Sequence, residues 1–183
     1  MQLNIYKISN PIIKLLSNSV KNNQIAMYEY QYRYLGLLIM YEAFRKYIEI
    51  DKIYIKYLNS IEDLYAVNCK QNYLIMSNLS DTYQMLSDIR LIVPNVRIID
   101  INDETNLHNI ITNNNETTYF ILEKSLSNNN IISLINNLNT KKKIPLEKIN
   151  IVCLYSYHEI LNQIGNLYPM LTIYTTEIIY NNS

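Results

Sequence analysis

The sequence is poor in glycine, in excess charge of either sign and in long apolar runs, and each shortage excludes a class of protein. Two of its 183 residues are glycine, where an average chain would carry about a dozen, so no Gly-rich phosphate loop is present. The 16 basic and 16 acidic residues cancel, which leaves no electrostatic footprint for a nucleic-acid partner. The longest apolar run, residues 37–41, is far too short to span a bilayer, so we expect no membrane partner.

Cysteine is equally scarce. Cys69 and Cys153 stand alone, with no CxxC pair and no even framework, and we expect reduced, partly buried thiols in a cytosol-like compartment. No His/Cys cluster has metal-ligand spacing, so we expect no metal site. The amino terminus has neither signal-peptide nor transit-peptide composition.

The abundant residues indicate a folded chain that is encoded by a gene rich in A and T. Apolar residues make up 49% and charged residues 17% of the sequence, which is typical of a globular protein. Its length predicts one domain over residues 1–183. The sequence is dominated by Asn, Ile, Tyr and Lys, all of which can be encoded by A and T alone. An A+T-rich genome, such as that of an organelle, is the simple explanation.

Hydrophobic periods alternate between those of helices and strands along the chain. A long helix is predicted over 24–47, and its expected apolar stripe is Tyr34, Leu35, Leu38, Ile39 and Tyr41. Further helices are predicted over 81–92, 130–139 and 157–167, and a polar loop over 102–117. Strands are predicted from residues 73, 96, 118, 149 and 171, in that order. This alternation predicts an α/β fold with a mainly parallel five-stranded sheet flanked by helices.

Ligands of such sheets bind beyond the carboxyl ends of the strands. Little catalytic chemistry is present there, and we predict no catalytic residue. His158 is interpreted as a cap or surface residue, and Glu42 as a hydrogen-bonded structural carboxylate near the core, because no second acid accompanies it. The segments expected at this edge are 77–81, 122–130, 155–158 and the tail after Thr176.

Three stretches share the pattern of a known family. The amino-terminal one is SNPIIKLLSNSV followed by YLGLLIMYEAFRKY, the carboxyl-terminal one is INIVCLYSYHEILNQIGNLYPMLTIYTTEI, and YLIMSNLSDTYQML lies between them. Together they resemble the uracil phosphoribosyltransferases over residues 6–180. The positions that match the family's motifs are Pro11, Gly36, Leu38, Tyr41, Glu42, Ala43, Glu159, Pro169, Tyr174 and Thr175.

The resemblance implies a fold, a reaction and partners. The fold is type I phosphoribosyltransferase-like, with a helical arm over 8–47 and an α/β core over 72–180. The family joins uracil to phosphoribosyl pyrophosphate, which gives UMP and diphosphate, and Mg²⁺ would accompany phosphoribosyl pyrophosphate if any activity remains. Family members pair through the long amino-terminal helix, which implies a homodimer.

The departures from the family fall on its functional segments. The family's pyrophosphate loop corresponds to Ser80, Asp81, Thr82 and Gln84, so its arginine is replaced by Ser80 and its glycines are lost. The phosphoribosyl pyrophosphate loop corresponds to Ser127, Asn128, Asn129 and Asn130, with two asparagines on the glycines. Glu123 reaches the place of the family's aspartate only with a one-residue gap.

These losses predict a pseudoenzyme. Asparagine tolerates positive φ, so the loop could keep its backbone path, but its side chains would crowd a phosphate. The family's carboxyl-terminal uracil-binding segment is also absent from the sequence. We expect little or no activity and at most weak binding of phosphoribosyl pyrophosphate or another anion. The alternative is a non-catalytic binding or assembly module that uses the retained fold and dimer surface.

The resemblance and the composition together predict a location. The chain resembles plastid-encoded algal copies of the family, and the similarity begins near residue 6, which leaves no room for a presequence. We expect a plastid (chloroplast) stroma, with a bacterial cytoplasm as the alternative.

Overall fold

The computed structural model describes residues 3–21, 28–103 and 116–180. Most of the polar loop predicted over 102–117 and the start of the helix predicted over 24–47 lie outside these ranges. A π-helical turn, Asn137–Lys141, follows the helix Asn130–Asn136, and a 3-10 turn, Leu146–Lys148, precedes the strand Ile149–Tyr157. The elements are β1 (Asn4–Lys7), α1 (Pro11–Lys21), α2 (Tyr28–Phe44), β2 (Ile50–Lys56), β3 (Ile61–Val67), β4 (Asn72–Ser77), α3 (Leu79–Leu86), α4 (Ile89–Ile92), β5 (Arg97–Asp100), β6 (Thr117–Leu126), α5 (Asn130–Asn136), β7 (Ile149–Tyr157), α6 (His158–Leu167) and β8 (Thr172–Ile179).

The main sheet is parallel, as predicted, and has the order β1-β8-β7-β6-β4-β5. It has six strands rather than five because β1 pairs with β8 from Asn4↔Thr172 to Lys7↔Thr175. The predicted order of the first three strands is wrong, since β4 lies between β5 and β6. After β5 the chain returns to the other side of β4, so the order reverses between β4 and β6. Such a reversal opens a crevice at the carboxyl ends of the two strands.

Helices cover both faces of this sheet. One hydrophobic cluster joins α1, α2 and α3 to the sheet through residues such as Ile39, Phe120 and Leu122. A second cluster joins α5 and α6 to the opposite face through residues such as Ile135 and Ile121. Since side chains alternate along a strand, the neighbouring residues Ile121 and Leu122 pack against the helices on opposite faces of the sheet. The apolar strands buried on both sides are typical of parallel sheets.

The buried face of α2 differs from the predicted stripe. Leu35 and Ile39 are fully buried as expected, but Tyr34 and Tyr41 are 54% and 50% exposed. Tyr32 takes their place in the core, three residues before Leu35, which is the spacing of one helix face. The tyrosines were misassigned because tyrosine is apolar enough to fit a stripe yet carries a hydroxyl that tolerates water.

Close packing between α2 and α3 occurs at a glycine. A Cβ added to Gly36 would lie 2.3 Å from the carbonyl oxygen of Met85 and 2.4 Å from its Cα. No side chain fits at that distance, so the two backbones approach as closely as they do only because Gly36 has none. The chain thus has a steric reason for glycine at this position.

A two-stranded antiparallel hairpin, β2–β3, was not predicted. Its strands pair from Ile50↔Val67 to Lys56↔Ile61, and most of its side chains are exposed on both faces. One face carries Lys52, whose Nζ lies 2.7 Å from Asp63 Oδ2. The other face carries the aliphatic residues Ile53 and Leu64 together with the carboxylates of Asp51 and Glu62. Since Ile50 and Ile61 share the face of Lys52, both faces of the hairpin mix apolar and charged residues.

Two predicted boundaries are wrong. The helix predicted over 81–92 is two helices, and Asp88 between them accepts hydrogen bonds from Nε and Nη2 of Arg33 on α2. Strand β6 was predicted to end at residue 122 but runs to Leu126, because it stays paired with β7 as far as Leu126↔Ser156. Within the described ranges, the helices are too short or too polar for a membrane crossing.

Candidate functional site

A cavity of about 640 Å³ lies in the crevice between the carboxyl ends of β4 and β6. It is bordered by the start of α3, the end of β5 and the start of α5. This crevice brings residues of the two family loops to one place, although they are more than forty positions apart in the chain. The predicted site residues that line it are Asp81, Glu123, Ser127, Asn128 and Asn130.

The other predicted residues of the pyrophosphate loop do not line the crevice. Thr82 is fully buried, and its hydroxyl donates to the Asn78 carbonyl oxygen at 2.7 Å, so it has a structural role. The Ser80 hydroxyl donates to Asn78 Oδ1 at 2.6 Å. Gln84, one turn further along α3, is half-buried outside the cavity lining.

Asn78 closes the start of α3 with its own side chain. Its Oδ1 accepts from the Ser80 amide at 3.2 Å and from Asn102 Nδ2 at 2.8 Å, and its Nδ2 donates to Asp81 Oδ2 at 2.7 Å. A helix N-terminus can offer its free amides to an anion, but here the Asn78 side chain already uses a first-turn amide. The sequence had a signal for this cap, because Asn followed three residues later by Asp is typical of a helix start.

The predicted loop from Leu122 to Asn130 is much shorter in the structure. Because β6 runs to Leu126, only Ser127, Asn128 and Asn129 connect it to α5. Among the described residues, Lys143 is the only non-glycine residue with positive φ, so the asparagines do not adopt the left-handed path that glycine permits. Asn129, which does not line the cavity, has φ −76° and starts α5 without a side-chain cap.

Acidic side chains outnumber basic ones in the crevice. Burial, with the Asp81 carboxylate as a second cause, raises the pKa of Glu123 to about 7. Lys124 is the one cationic side chain among the described residues that line the cavity, and its Nζ lies 4.3 Å from the centre of the Tyr32 ring. Because Glu123 is about half ionised near pH 7, the lysine is roughly balanced by the two acidic groups, and the crevice offers no excess positive charge to a polyanion.

Little other reactive chemistry lies in the described part of the chain. No group of three or more His, Cys, Asp or Glu side chains in those ranges is arranged to hold a metal. His158 is exposed at the start of α6, with Nδ1 3.2 Å from Asn162 Nδ2, as expected of a surface residue. Glu42 is half-buried and pairs with Arg45 rather than with the core. Cys69 is exposed, and burial raises the pKa of Cys153 to about 12.

Comparison with known proteins gives a distant but full-length relationship. No family model matches the chain. A protein of Pyropia yezoensis named uracil phosphoribosyltransferase homolog is 28% identical over 184 residues, which cover 99% of this chain and 91% of that protein. The chain is a distant relative of the uracil phosphoribosyltransferase family. A second homolog of that name, from Porphyra purpurea, is 25% identical over 97% of this chain and 89% of its own length. Both relatives come from red algae.

The fold is also shared with a solved structure. The AQ2163 protein from Aquifex aeolicus superposes with a TM-score of 0.76 over 96% of this chain and 88% of its own, at 16% identity. At that identity the match concerns the fold alone. It agrees with the phosphoribosyltransferase-like α/β architecture expected from the sequence.

Proposed function

We propose that this distant uracil phosphoribosyltransferase relative keeps the fold of its family without catalysing phosphoribosyl transfer, and acts as a non-catalytic binding or assembly module. The observation that carries the proposal is the pair of carboxylates, Asp81 and Glu123, in the crevice where the family's two phosphate loops meet. Phosphoribosyl pyrophosphate is a polyanion, and this crevice lacks the excess positive charge that would hold its diphosphate.

The charge that a transferase needs at this place is missing. Pyrophosphate gains charge as it leaves and requires a positioned cation. Ser80, at the position of the family's arginine, offers a hydroxyl that already donates to Asn78 Oδ1. A charge-assisted hydrogen bond contributes about 1.5–3 kcal/mol. Since about 1.4 kcal/mol of transition-state stabilisation is tenfold in rate, the loss of a two-pronged arginine contact removes several powers of ten.

The backbone also supports loss of phosphate binding. The Asn78 side chain caps α3, and the asparagines of the second loop do not take positive φ. Their exposed side chains project around a three-residue connection in place of an open glycine cradle. Any remaining affinity for phosphoribosyl pyrophosphate with Mg²⁺ is therefore weak.

The decisive experiment is calorimetry of the purified protein with phosphoribosyl pyrophosphate and Mg²⁺, followed by an assay of UMP formation from uracil. We expect no measurable heat at substrate concentrations up to about 1 mM, which corresponds to a binding free energy weaker than about −4 kcal/mol. We also expect no UMP above background. Growth on uracil of a salvage-deficient bacterium that expresses the gene would overturn the proposal.

A gain-of-charge variant provides the matched control. The combination Ser80→Arg, Asp81→Asn and Glu123→Gln removes both acidic side chains of the crevice and adds a guanidinium beside it, so the charged side chains described there are then all cationic. We expect this variant to bind phosphoribosyl pyrophosphate at least about tenfold more tightly than the parent. If its affinity equals that of the parent, charge is not what prevents binding.

Two features accompany the proposal. The outer face of α2 presents the exposed tyrosines Tyr30, Tyr34 and Tyr41 at helical spacing, which supports the homodimer that the family implies. The red-algal relatives and the A+T-biased composition support a plastid stroma. Immunodetection in purified plastids against cytosolic fractions tests that location.

A further inference from the structure

A second cavity, of about 620 Å³, lies at the edge of the sheet and is called the lateral cavity here. It is formed by the end of β1, the start of α1, the last turn of α2 and Tyr174 of β8. Tyr174 belongs to the cluster on the α2 face, whereas Glu123 follows Leu122 and therefore points to the α5 face. The lateral cavity shares no lining residue with the crevice, so it is independent of the proposed function.

Positive charge dominates the lateral cavity. Its lining includes Lys7, Arg45 and Lys46 and a single carboxylate, that of Glu42. Arg45 Nη2 lies 3.4 Å from Glu42 Oε2, so this pair is approximately neutral and two lysines are left in excess. Both lysines are exposed, and they border a cavity with the volume of a small-molecule site.

Two stacked tyrosine rings line the lateral cavity next to Lys46. The rings of Tyr6 and Tyr174 lie 5.2 Å apart at 16°, and Lys46 Nζ lies 5.5 Å from the centre of the Tyr6 ring. Tyr174 is 5% exposed, and its hydroxyl is buried beside the Tyr47 side chain, so only the ring of Tyr174 contributes to the lateral cavity.

We propose that the lateral cavity binds a small phosphate monoester. Two unbalanced lysines match the charge of such a group, about −1.5 to −2 near pH 7. The Tyr6 ring beside them offers an apolar surface for the organic part of the ligand. Arg45, once drawn from Glu42, supplies a planar fork that suits phosphate oxygens.

The probe is phenyl phosphate, titrated into the ¹⁵N-labelled full chain while amide shifts are followed. We expect saturable shifts at Lys7, Arg45 and Lys46 with a dissociation constant of about 1 mM or below. Lys46→Gln and Lys7→Gln should each weaken binding at least about threefold, since each removes one of the two excess charges. Glu42→Gln should have the opposite effect and strengthen binding about threefold, because it releases Arg45 and removes the only carboxylate of the lining.

Matched controls distinguish binding at the lateral cavity from non-specific attraction of the phosphate to positive charge elsewhere on the protein. Lys14→Gln removes an exposed lysine of α1 outside the lining and should leave the affinity unchanged. Benzyl alcohol, which has the ring without the charge, should produce no shifts. The proposal fails if shifts do not saturate, if they centre on the crevice, or if Lys14→Gln weakens binding as much as Lys46→Gln does.

Discussion

At the scale of single residues, the two glycines have opposite roles, although both lie in helices. Gly36→Ala places a Cβ 2.3 Å from the Met85 carbonyl oxygen, and the backbone there cannot yield cheaply. We expect it to lower the free energy of unfolding by about 2 kcal/mol, although alanine favours a helix by about 1 kcal/mol. Gly165→Ala meets only Leu3 Cβ at 3.5 Å and should raise stability by about 0.5–1 kcal/mol. Urea unfolding of the two variants tests the contrast, and shifts of equal sign would contradict it.

Glu123 is the residue whose titration should be visible in stability. Burial, followed by the Asp81 carboxylate, raises its pKa to about 7 in the folded state. A carboxyl with a raised pKa favours folding when it is protonated, so its contribution is full below about pH 4.5 and is lost as the pH rises through about 7. Glu123→Gln should therefore flatten the decline in stability over this range and be about 1–2 kcal/mol more stable than the parent at pH 8, a figure discounted for partial exposure.

The matched control is Glu147→Gln, which removes an exposed carboxylate of the 3-10 turn. Urea unfolding at pH 5, 6, 7 and 8 is the measurement. If the parent and Glu123→Gln lose stability in parallel between pH 5 and 8, the carboxyl does not titrate in this range.

At the scale of elements, the β2–β3 hairpin is nearly independent of the fold. Most of its residues are exposed, and an isolated two-stranded hairpin contributes little stability in water. Replacement of residues 51–66 by a short Gly-Ser turn should therefore change the melting temperature by less than about 4 °C, the effect of roughly 1 kcal/mol in a domain of this size. A larger loss by thermal unfolding would show that the hairpin supports the sheet.

Strongly periodic elements were predictable from the sequence, and polar or short ones were not. The predicted helix over 157–167 is α6, because its apolar residues Ile160, Leu161 and Ile164 share one buried face. The polar end of β6 was missed, since its pairing with β7 and not its side chains keeps it a strand. Four-residue β1 is too short to show a period. The apolar residues of the hairpin are mostly exposed. Its sequence therefore lacks the alternation of buried and exposed positions that predicts a strand.

The site was predictable in its members but not in its geometry. Asp81 and Glu123 were assigned to two separate loops, and the crevice joins them only because β4 is adjacent to β6. That adjacency depends on the reversal in strand order, which no local pattern encodes. The contribution of Asp81 to the raised pKa of Glu123 depends on this adjacency, whereas the cap made by Asn78 is local.

At the scale of the whole molecule, the exposed tyrosines of α2 are the expected dimer contact. Aromatic side chains are enriched in protein interfaces. Tyr34→Lys combined with Tyr41→Lys places like charges across a symmetric contact, and light scattering should show a change from dimer to monomer. Leu167→Lys on α6, an equally exposed apolar residue on the other layer, serves as the control and should leave the dimer intact. A monomeric parent protein would refute this assignment.

The contact between Gly36 and Met85 also has an evolutionary consequence. Codon bias towards A and T acts on every glycine codon, and the two segments assigned above to the family's phosphate loops contain no glycine. A substitution at Gly36 would bring a Cβ into collision with the Met85 backbone. The variant protein would then lose the close packing of α2 against α3. The chain retains two glycines. In a gene without selection on the fold, the codon of Gly36 would be replaced as readily as any other glycine codon. We therefore expect the packing of α2 against α3 at Gly36 to be under purifying selection.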